Sequence, residues 1–321
     1  MKKRIGQIGF ALAFGLMALV AFSWWGPGPA TKTVVVTIPQ GSTLQSATDY
    51  LHYVGAIEGH RKKFYWLARF LGEGDPIQAG EFAIPAGASP ANVLWQLQHG
   101  TPMQRLVTIP EGTPSIIVQE KLDALPFATG GAPLPDEGTV LPDSYTYERG
   151  EARAAILKRM TAAMDKQLAA LWSKRTPTCP VATPQQALTL ASIVEKETGK
   201  ASERRTVAGV YCNRLRIGMR LDADPTVIYP ITKGKPLGRR IKRSELDAIT
   251  GYNTYREAGL PAGPIANPGK LSIAAVLDPA PTKALYFVAD GTGGHVFADT
   301  LEQHNDNVAK WYAIRRQRGE M

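Results

Sequence analysis

Residues 183–199 read Thr183-Pro184-Gln185-Gln186-Ala187-Leu188-Thr189-Leu190-Ala191-Ser192-Ile193-Val194-Glu195-Lys196-Glu197-Thr198-Gly199. Thr183 suits an N-cap, Pro184 suits the first helical position, and Gln186 completes a Thr-x-x-Gln capping box. Gly199 suits the left-handed residue that ends many helices. The body (Ala187, Leu188, Leu190, Ala191, Ile193, Val194) is apolar on nearly all sides, which predicts a buried helix. Yet the last turn holds Glu195 and Glu197. Two residues of helix rotate by about 200°, so the two carboxylates point to different sides. Glu197 falls over Ile193 and Leu190; Glu195 falls over Ala191 and Leu188, with Ser192 beside them. Burial and the negative end of the helix dipole both raise a carboxylate pKa there. An acid kept protonated near neutral pH is what a glycosidic oxygen needs for general acid catalysis. The competing reading is a solvent-facing last turn paired with Lys196, Lys200 and Arg204.

Working outward, the amino terminus addresses compartment. Met1-Lys2-Lys3-Arg4 precedes a run from Ile5 to Trp25 whose only polar side chains are Gln7 and Ser23. At 1.5 Å per residue this run spans roughly 30 Å, the thickness of a bilayer core. Trp24 and Trp25 stand where interfacial aromatics are enriched, and the basic cluster places the amino terminus in the cytoplasm. The run exceeds the apolar region of a cleaved signal peptide, although Gly28-Pro29-Ala30 offers small residues near a cut. The expectation is a single-pass inner-membrane anchor with everything after Trp25 on the far side.

Composition narrows the partners. The chain has 321 residues, 44% hydrophobic and 20% charged, which excludes a disordered, collagen-like or multi-span protein. Its net charge of +9 invites a polyanionic partner. Three of those charges belong to Lys2, Lys3 and Arg4, and no long basic run follows, so no nucleic-acid partner is expected. Two cysteines, Cys179 and Cys212, cannot build a zinc ribbon, an iron–sulfur site or a disulfide framework. In an oxidising compartment they can pair, or Cys212 is simply buried in its helix.

Between anchor and helix the pattern is mixed. Pro27 to Lys32 reads as a linker, Thr33–Ile38 as a strand, and Ser42 as the cap of a helix to about Val54. Residues 58–71 predict a second helix and Ala79–Pro85 a second strand. This β-α-α-β order over residues 32–86 resembles a LysM-like glycan-binding module in arrangement, and equally suits a plain α+β spacer. Ser89 caps a helix to about Gln98, Arg105–Ile109 is a strand, and a helix starts near Pro114. Ile38-Pro39-Gln40-Gly41 and Ile109-Pro110-Glu111-Gly112 repeat one strand-to-helix turn. Residues 126–139 are a Pro/Gly loop, and Ala152–Lys174 is helical.

Several other residues bear on chemistry. Asp222 and Asp224 have no histidine nearby in sequence, so no metal site is expected, and Asp224 before Pro225 suits a turn. Tyr252, Asn253 and Tyr255 follow Gly251 in a loop, where aromatic faces and amides suit either a sugar cleft or core packing. His295 follows a Gly-rich hairpin turn between strands 285–289 and 295–298; it reaches the cleft or pairs within the sheet. His304 and Asn305 read as structural. The glycine cluster lacks a phosphate-loop lysine, and no cofactor is expected.

The string Leu190-Ala191-Ser192-Ile193-Val194-Glu195-Lys196-Glu197-Thr198 resembles the signature of MltG/YceG-type endolytic murein transglycosylases. Further segments agree in order: Glu137-Gly138 with Leu141–Tyr145, Asn213-Arg214-Leu215 with Gly218–Leu221, and Asp224–Tyr229. Then come Tyr252–Tyr255, Gly259–Pro261 with Pro264–Gly269, and Tyr286–Asp290 leading to Gly294–Phe297. The resemblance runs from the anchor to about Asn305. It implies a lyase acting on peptidoglycan, cutting between N-acetylmuramic acid and N-acetylglucosamine without water to leave a 1,6-anhydromuramoyl end. Such enzymes use one glutamate as acid and then base, so a second carboxylate is dispensable, unlike in an ordinary glycosidase. Matching Glu197-Thr198 to the Glu-Ser pair of soluble lytic transglycosylases implies Glu197 as the acid/base, although Thr stands where Ser is usual. Glu195, Asp224, Tyr252, Asn253, Tyr255 and His295 are then supporting or substrate-contacting candidates.

The expected fold class is α+β: an anchor over 1–25, a LysM-like module over 32–86 and a YceG-like catalytic domain over 87–321. The expected activity cuts nascent glycan strands on the periplasmic side of the inner membrane and so ends their elongation. Expected partners are glycan strands, the membrane and peptidoglycan polymerases. The rivals are a non-catalytic peptidoglycan-binding scaffold and a water-using muramidase.

Overall fold

The computed structural model describes residues 2–320, and for residues 2–6 the backbone alone. Met1 and Met321, and the side chains of the basic cluster Lys2, Lys3 and Arg4, lie outside that description. The chain divides into two compact units: Met1–Arg105 with Thr146–Gly150, and Leu106–Tyr145 with Glu151–Met321. Elements are mixed helices and small antiparallel sheets, an α+β arrangement.

The first unit opens with one continuous helix, α1 (Lys2–Trp25). Its segment Gln7–Trp25 has mean hydropathy 1.9 and is exposed almost throughout. An apolar helix exposed on all sides has the length and composition to cross a bilayer. Its far end departs from expectation. Trp25 stays exposed, but Trp24 is buried, with its ring 5.8 Å from that of Phe64. The linker is also packed: the Gly28 amide donates to the Gly87 carbonyl and the Gly87 amide to that of Ala30.

Strands β1 (Val34–Ile38) and β2 (Gly80–Ile84) pair antiparallel with Val36 opposite Phe82, and enclose α2 (Leu44–Tyr53) and α3 (Arg61–Leu71) in sequence. The expected β-α-α-β order is therefore present. The cap of α2 is Thr43, not Ser42; its hydroxyl accepts from the Ser46 amide while Ser46 Oγ accepts from the Thr43 amide. His60 caps α3 through Nδ1, which starts that helix later than expected. Next comes α4 (Pro90–His99), capped by Ser89. It buries Val93, Leu94 and Leu97 against Val36, Leu51, Phe64 and Phe82. That burial places α4 in the first compact unit, which runs to Arg105. The stretch 146–150 joins this unit through Arg149, which with Arg105 pairs buried Glu81. Burial works to raise the Glu81 pKa, and the two arginines outweigh it and hold it low.

Strands β3 (Arg105–Thr108) and β4 (Ser144–Tyr147) form a second two-stranded sheet and carry the chain across the division. In the second unit α5 (Ser115–Asp123) and α6 (Arg153–Trp172) lead to α7 (Pro184–Glu197). Around α7 lie α8 (Arg204–Arg216), α9 (Asp224–Thr232), the short α10 (Arg243–Leu246), α11 (Lys270–Leu277), a hairpin of β5 (Tyr286–Ala289) with β6 (His295–Ala298), and α12 (Leu301–Gln317). The core joins Leu190, Ile193 and Val194 of α7 to Val207 and Tyr211 of α8 and Ile273 and Val276 of α11. Cys179 and Cys212 are disulfide-bonded, tying the segment before α7 to α8.

Candidate active site

The helix α7 forms as its sequence dictates. Thr183 Oγ1 accepts from the Gln186 amide, and Gln186 Oε1 accepts from the amide of Ala182, one residue ahead of the cap. Its end differs from expectation. Gly199 is not in a left-handed conformation. The helix stops because Thr198 turns extended, is buried, and accepts from the Lys200 amide with Oγ1. That abrupt stop leaves Glu197 as the last helical residue, held against the core.

The two glutamates face different surroundings. Glu195 is almost fully enclosed and its partners are all protein: Oε1 accepts from Arg204 Nη2 at 3.3 Å, and Oε2 from the Gly269 amide at 2.9 Å. The same guanidinium reaches Glu111 at 2.9 Å. One turn earlier on that face, Ser192 Oγ accepts from the Ile265 amide at 3.0 Å. Ser192 and Glu195 thus staple the 265–269 loop onto α7 at helical i, i+3 spacing. Asn267 extends the staple: Oδ1 accepts from the Val140 amide, and Nδ2 donates to the Thr113 carbonyl, both at 2.9 Å.

Glu197 keeps a partial opening to solvent, while protein crowds its carboxyl group. Burial first, and then the charge of Asp224, push its pKa up to about 7. A hydrogen bond from Tyr211 and the charge of Arg214 pull the other way and are outweighed. Tyr211 and Arg214 lie three residues apart on α8, so both project toward α7. Arg214 is fixed by donating to the carbonyls of Leu285 at 2.6 Å and Leu221 at 2.8 Å. Tyr211 is fully buried and meets Phe287 edge-on at 5.8 Å.

Asp224 is the first residue of α9. Its Oδ1 accepts from the Tyr255 hydroxyl at 2.7 Å. Burial, and then this pairing with Asp224, raise the Tyr255 pKa, so the phenol stays a donor. Tyr229 lies five residues further on, about 7 Å along the axis. It borders a cavity of about 440 Å³ with Ser115, Glu137, Lys233, Tyr252 and Pro264. The Tyr229 and Tyr252 rings are 4.9 Å apart, and Tyr229 hydrogen-bonds Glu137, whose pKa burial raises.

Of the sequence candidates, Glu197, Asp224 and Tyr255 come together, and Tyr252 lines the neighbouring cavity. Asn253 does not face a cleft. It is buried, its Nδ2 donating to the carbonyls of Leu246 and Ala248 and its Oδ1 accepting from the Tyr255 amide. Its place is inside the loop that aims Tyr255. His295 pairs Glu203 at 2.9 Å and packs edge-on to Phe287 within the hairpin. Asp222 stands at positive φ, near Arg214 and Arg220. Tyr211, Arg214 and Glu137 were missed as site residues. For the first two the signal was available: a Tyr-x-x-Arg spacing sets a hydroxyl and a guanidinium on one helix face.

A family model described as the YceG-like family matches residues 36–310. An endolytic murein transglycosylase of Streptococcus pneumoniae is 30% identical over 328 residues, covering 87% of this chain and 58% of that protein. An endolytic murein transglycosylase of Bacillus subtilis is 40% identical over 131 residues, covering 41% of this chain and 36% of that protein. The chain therefore spans well under two thirds of the length of these relatives. The crystal structure of a YceG-like protein from Listeria monocytogenes aligns with a TM-score of 0.53 and 25% identity, covering 86% of this chain and 98% of that one.

Proposed function

The chain belongs to the YceG-like family, and from that premise we propose that it is an endolytic peptidoglycan transglycosylase with Glu197 as its single acid and base. The observation that carries this reading is the Glu197 carboxyl, pushed up to about 7 by burial and by Asp224. Such a group is protonated often enough at neutral pH to donate, and basic enough afterwards to accept. In the first step Glu197 gives its proton to the glycosidic oxygen between N-acetylmuramic acid and N-acetylglucosamine. The bond from the muramoyl anomeric carbon to that oxygen breaks, leaving oxocarbenium character on the sugar. In the second step the Glu197 carboxylate takes the proton of the muramoyl C6 hydroxyl, whose oxygen bonds to the anomeric carbon. No water is consumed, and the glycan ends in a 1,6-anhydro ring.

Glu195 is assigned a positioning role, because its oxygens are engaged by Arg204 and the Gly269 amide. Tyr211 orients Glu197, while Asp224, held by Tyr255, keeps it protonated. Tyr252 and Tyr229 offer aromatic faces to a sugar at the neighbouring cavity. The first unit, with its β-α-α-β order, is assigned as a LysM-like glycan-binding module, and the second as the catalytic one. In this reading α1 anchors the protein in the inner membrane with both units periplasmic. It cuts glycan strands as polymerases extrude them and so ends their elongation.

One observation favours a second reading, a water-using muramidase. Asp224 supplies the second carboxylate near Glu197 that an ordinary glycosidase needs. Mass spectrometry of digested glycan strands separates the two. Anhydro ends support transglycosylation, reducing ends support hydrolysis, and intact strands leave only a non-catalytic binding protein.

A further inference from the structure

The helix α3 has two faces. One buries Phe64 and Ala68 in the core of the first unit. The other is exposed and carries Lys62, Lys63, Trp66, Arg69 and Phe70. Trp66 is 50% and Phe70 74% exposed, with their rings stacked 5.7 Å apart. Two large aromatics left in water on one helix face are costly unless something covers them. Arg61 pairs Asp49 at 3.2 Å, but Lys62, Lys63 and Arg69 have no ion-pair partner among the described residues. Glu58 and Glu73 flank the helix, leaving its own length purely basic.

Position says what covers it. Phe64 receives Trp24 from the last turn of α1. Lys63 borders a cavity of about 430 Å³ together with Leu19, Val20, Phe22 and Ser23 of α1. Leu19 lies six residues before Trp25, about 9 Å along the helix axis. The amino end of α3 therefore stands level with the last apolar turns of α1, not beyond them. A basic helix with aromatic residues among its cations, set at that depth, has the make-up of an interfacial helix. Its lysine stems can lie along the acyl boundary while the ammonium groups reach phosphates.

We propose that the exposed face of α3 seats on an anionic phospholipid surface beside the point where α1 emerges. The unit is then held to the bilayer by two contacts, the spanning helix and an interfacial one. This inference rests on reading α1 as a membrane anchor, and the test below separates the two.

The full chain is reconstituted into vesicles of phosphatidylcholine, alone or with about one third phosphatidylglycerol, each containing phospholipid brominated near the glycerol end. The fluorescence of Trp66 is isolated as the difference between the wild-type chain and Trp66→Phe. Hydrogen exchange of the α3 amides, read in the wild-type chain, gives a second measure that needs no variant. The expected result is quenching of the Trp66 signal about twofold stronger in the anionic vesicles, slower α3 exchange there than in detergent, and loss of the anionic enhancement in the double variant Lys62→Glu and Lys63→Glu. Unquenched Trp66 with unchanged α3 exchange, in vesicles from which alkaline carbonate does not extract the chain, overturns the inference and leaves the anchor standing. Extraction by carbonate removes the anchor reading and this one together. A Trp66 signal that answers soluble glycan fragments but not lipid makes the face a sugar surface and likewise overturns it.

Discussion

Tyr255 donates its hydroxyl to Asp224 Oδ1 at 2.7 Å, and Asp224 is the carboxylate whose charge acts on Glu197. The chain of influence runs from a loop phenol, through a helix N-terminus, to the last residue of α7. Each link is electrostatic, so each has a pH signature.

Removing the Asp224 charge should lower the Glu197 pKa. A general acid works in its protonated form, so the alkaline limb of the activity profile reports that pKa. In the wild-type chain activity should fall as pH rises through about 7. In Asp224→Asn that limb should move to lower pH by about half to one unit. The check is the initial rate of strand cleavage across pH 5 to 9, an interval of about two units either side of neutrality. An unmoved limb would remove Asp224 from the account.

Stability should answer the same group with the opposite benefit. The folded-state pKa of Glu197 lies above the ordinary carboxylate value of 4.5. Its contribution is therefore fully present below pH 4.5 and is lost as pH rises through about 7. Glu197→Gln, which cannot ionise, should be more stable than wild type at pH 8, by on the order of 2–3 kcal/mol, and lose that advantage near pH 4. Urea denaturation at the two pH values measures the difference.

Glu195→Gln should behave as a structural lesion. It breaks the ion pair to enclosed Arg204, which keeps Glu111, and leaves an acceptor for the Gly269 amide. A loss of about 1–3 kcal/mol is expected. The alkaline limb of the profile should stay in place, because burial and Asp224 raise the Glu197 pKa and both remain. A displaced limb would assign Glu195 a chemical role.

The Cys179–Cys212 bridge closes a loop of sequence separation 33 that contains α7. Reduction, or Cys212→Ala, should cost about 2–4 kcal/mol by the chain-entropy argument. Thermal melts with and without reductant should show the drop, and its absence in Cys212→Ala under reductant attributes it to the bridge.

The start of α7 and the divergence of its two glutamates were legible because both follow from local rules: a capping residue, a proline and 100° per residue. The end was not, since Gly199 met the rule for a C-cap while buried Thr198 ended the helix first. For Tyr211 the spacing to Arg214 was legible, but the partner of its hydroxyl was not. Tyr211 sits in Val207–Cys212, a run that reads as core and is core, and its hydroxyl acquires a partner only when α8 packs on α7. Trp24 looked like a free interfacial ring, but nothing in the sequence says that Phe64, forty residues on, waits to receive it. The apolar stripe of α4 likewise reveals that it packs, not which core takes it, so the run of the first compact unit to Arg105 was not legible.

The most direct test of the central claim is a digest of purified glycan strands by wild type, Glu197→Gln and Glu195→Gln, with products identified by mass spectrometry and folding verified by thermal melts. Anhydromuramoyl ends from wild type, none from a folded Glu197→Gln, and the same ends from Glu195→Gln are the predicted result. Full activity in Glu197→Gln would contradict the assignment at its root.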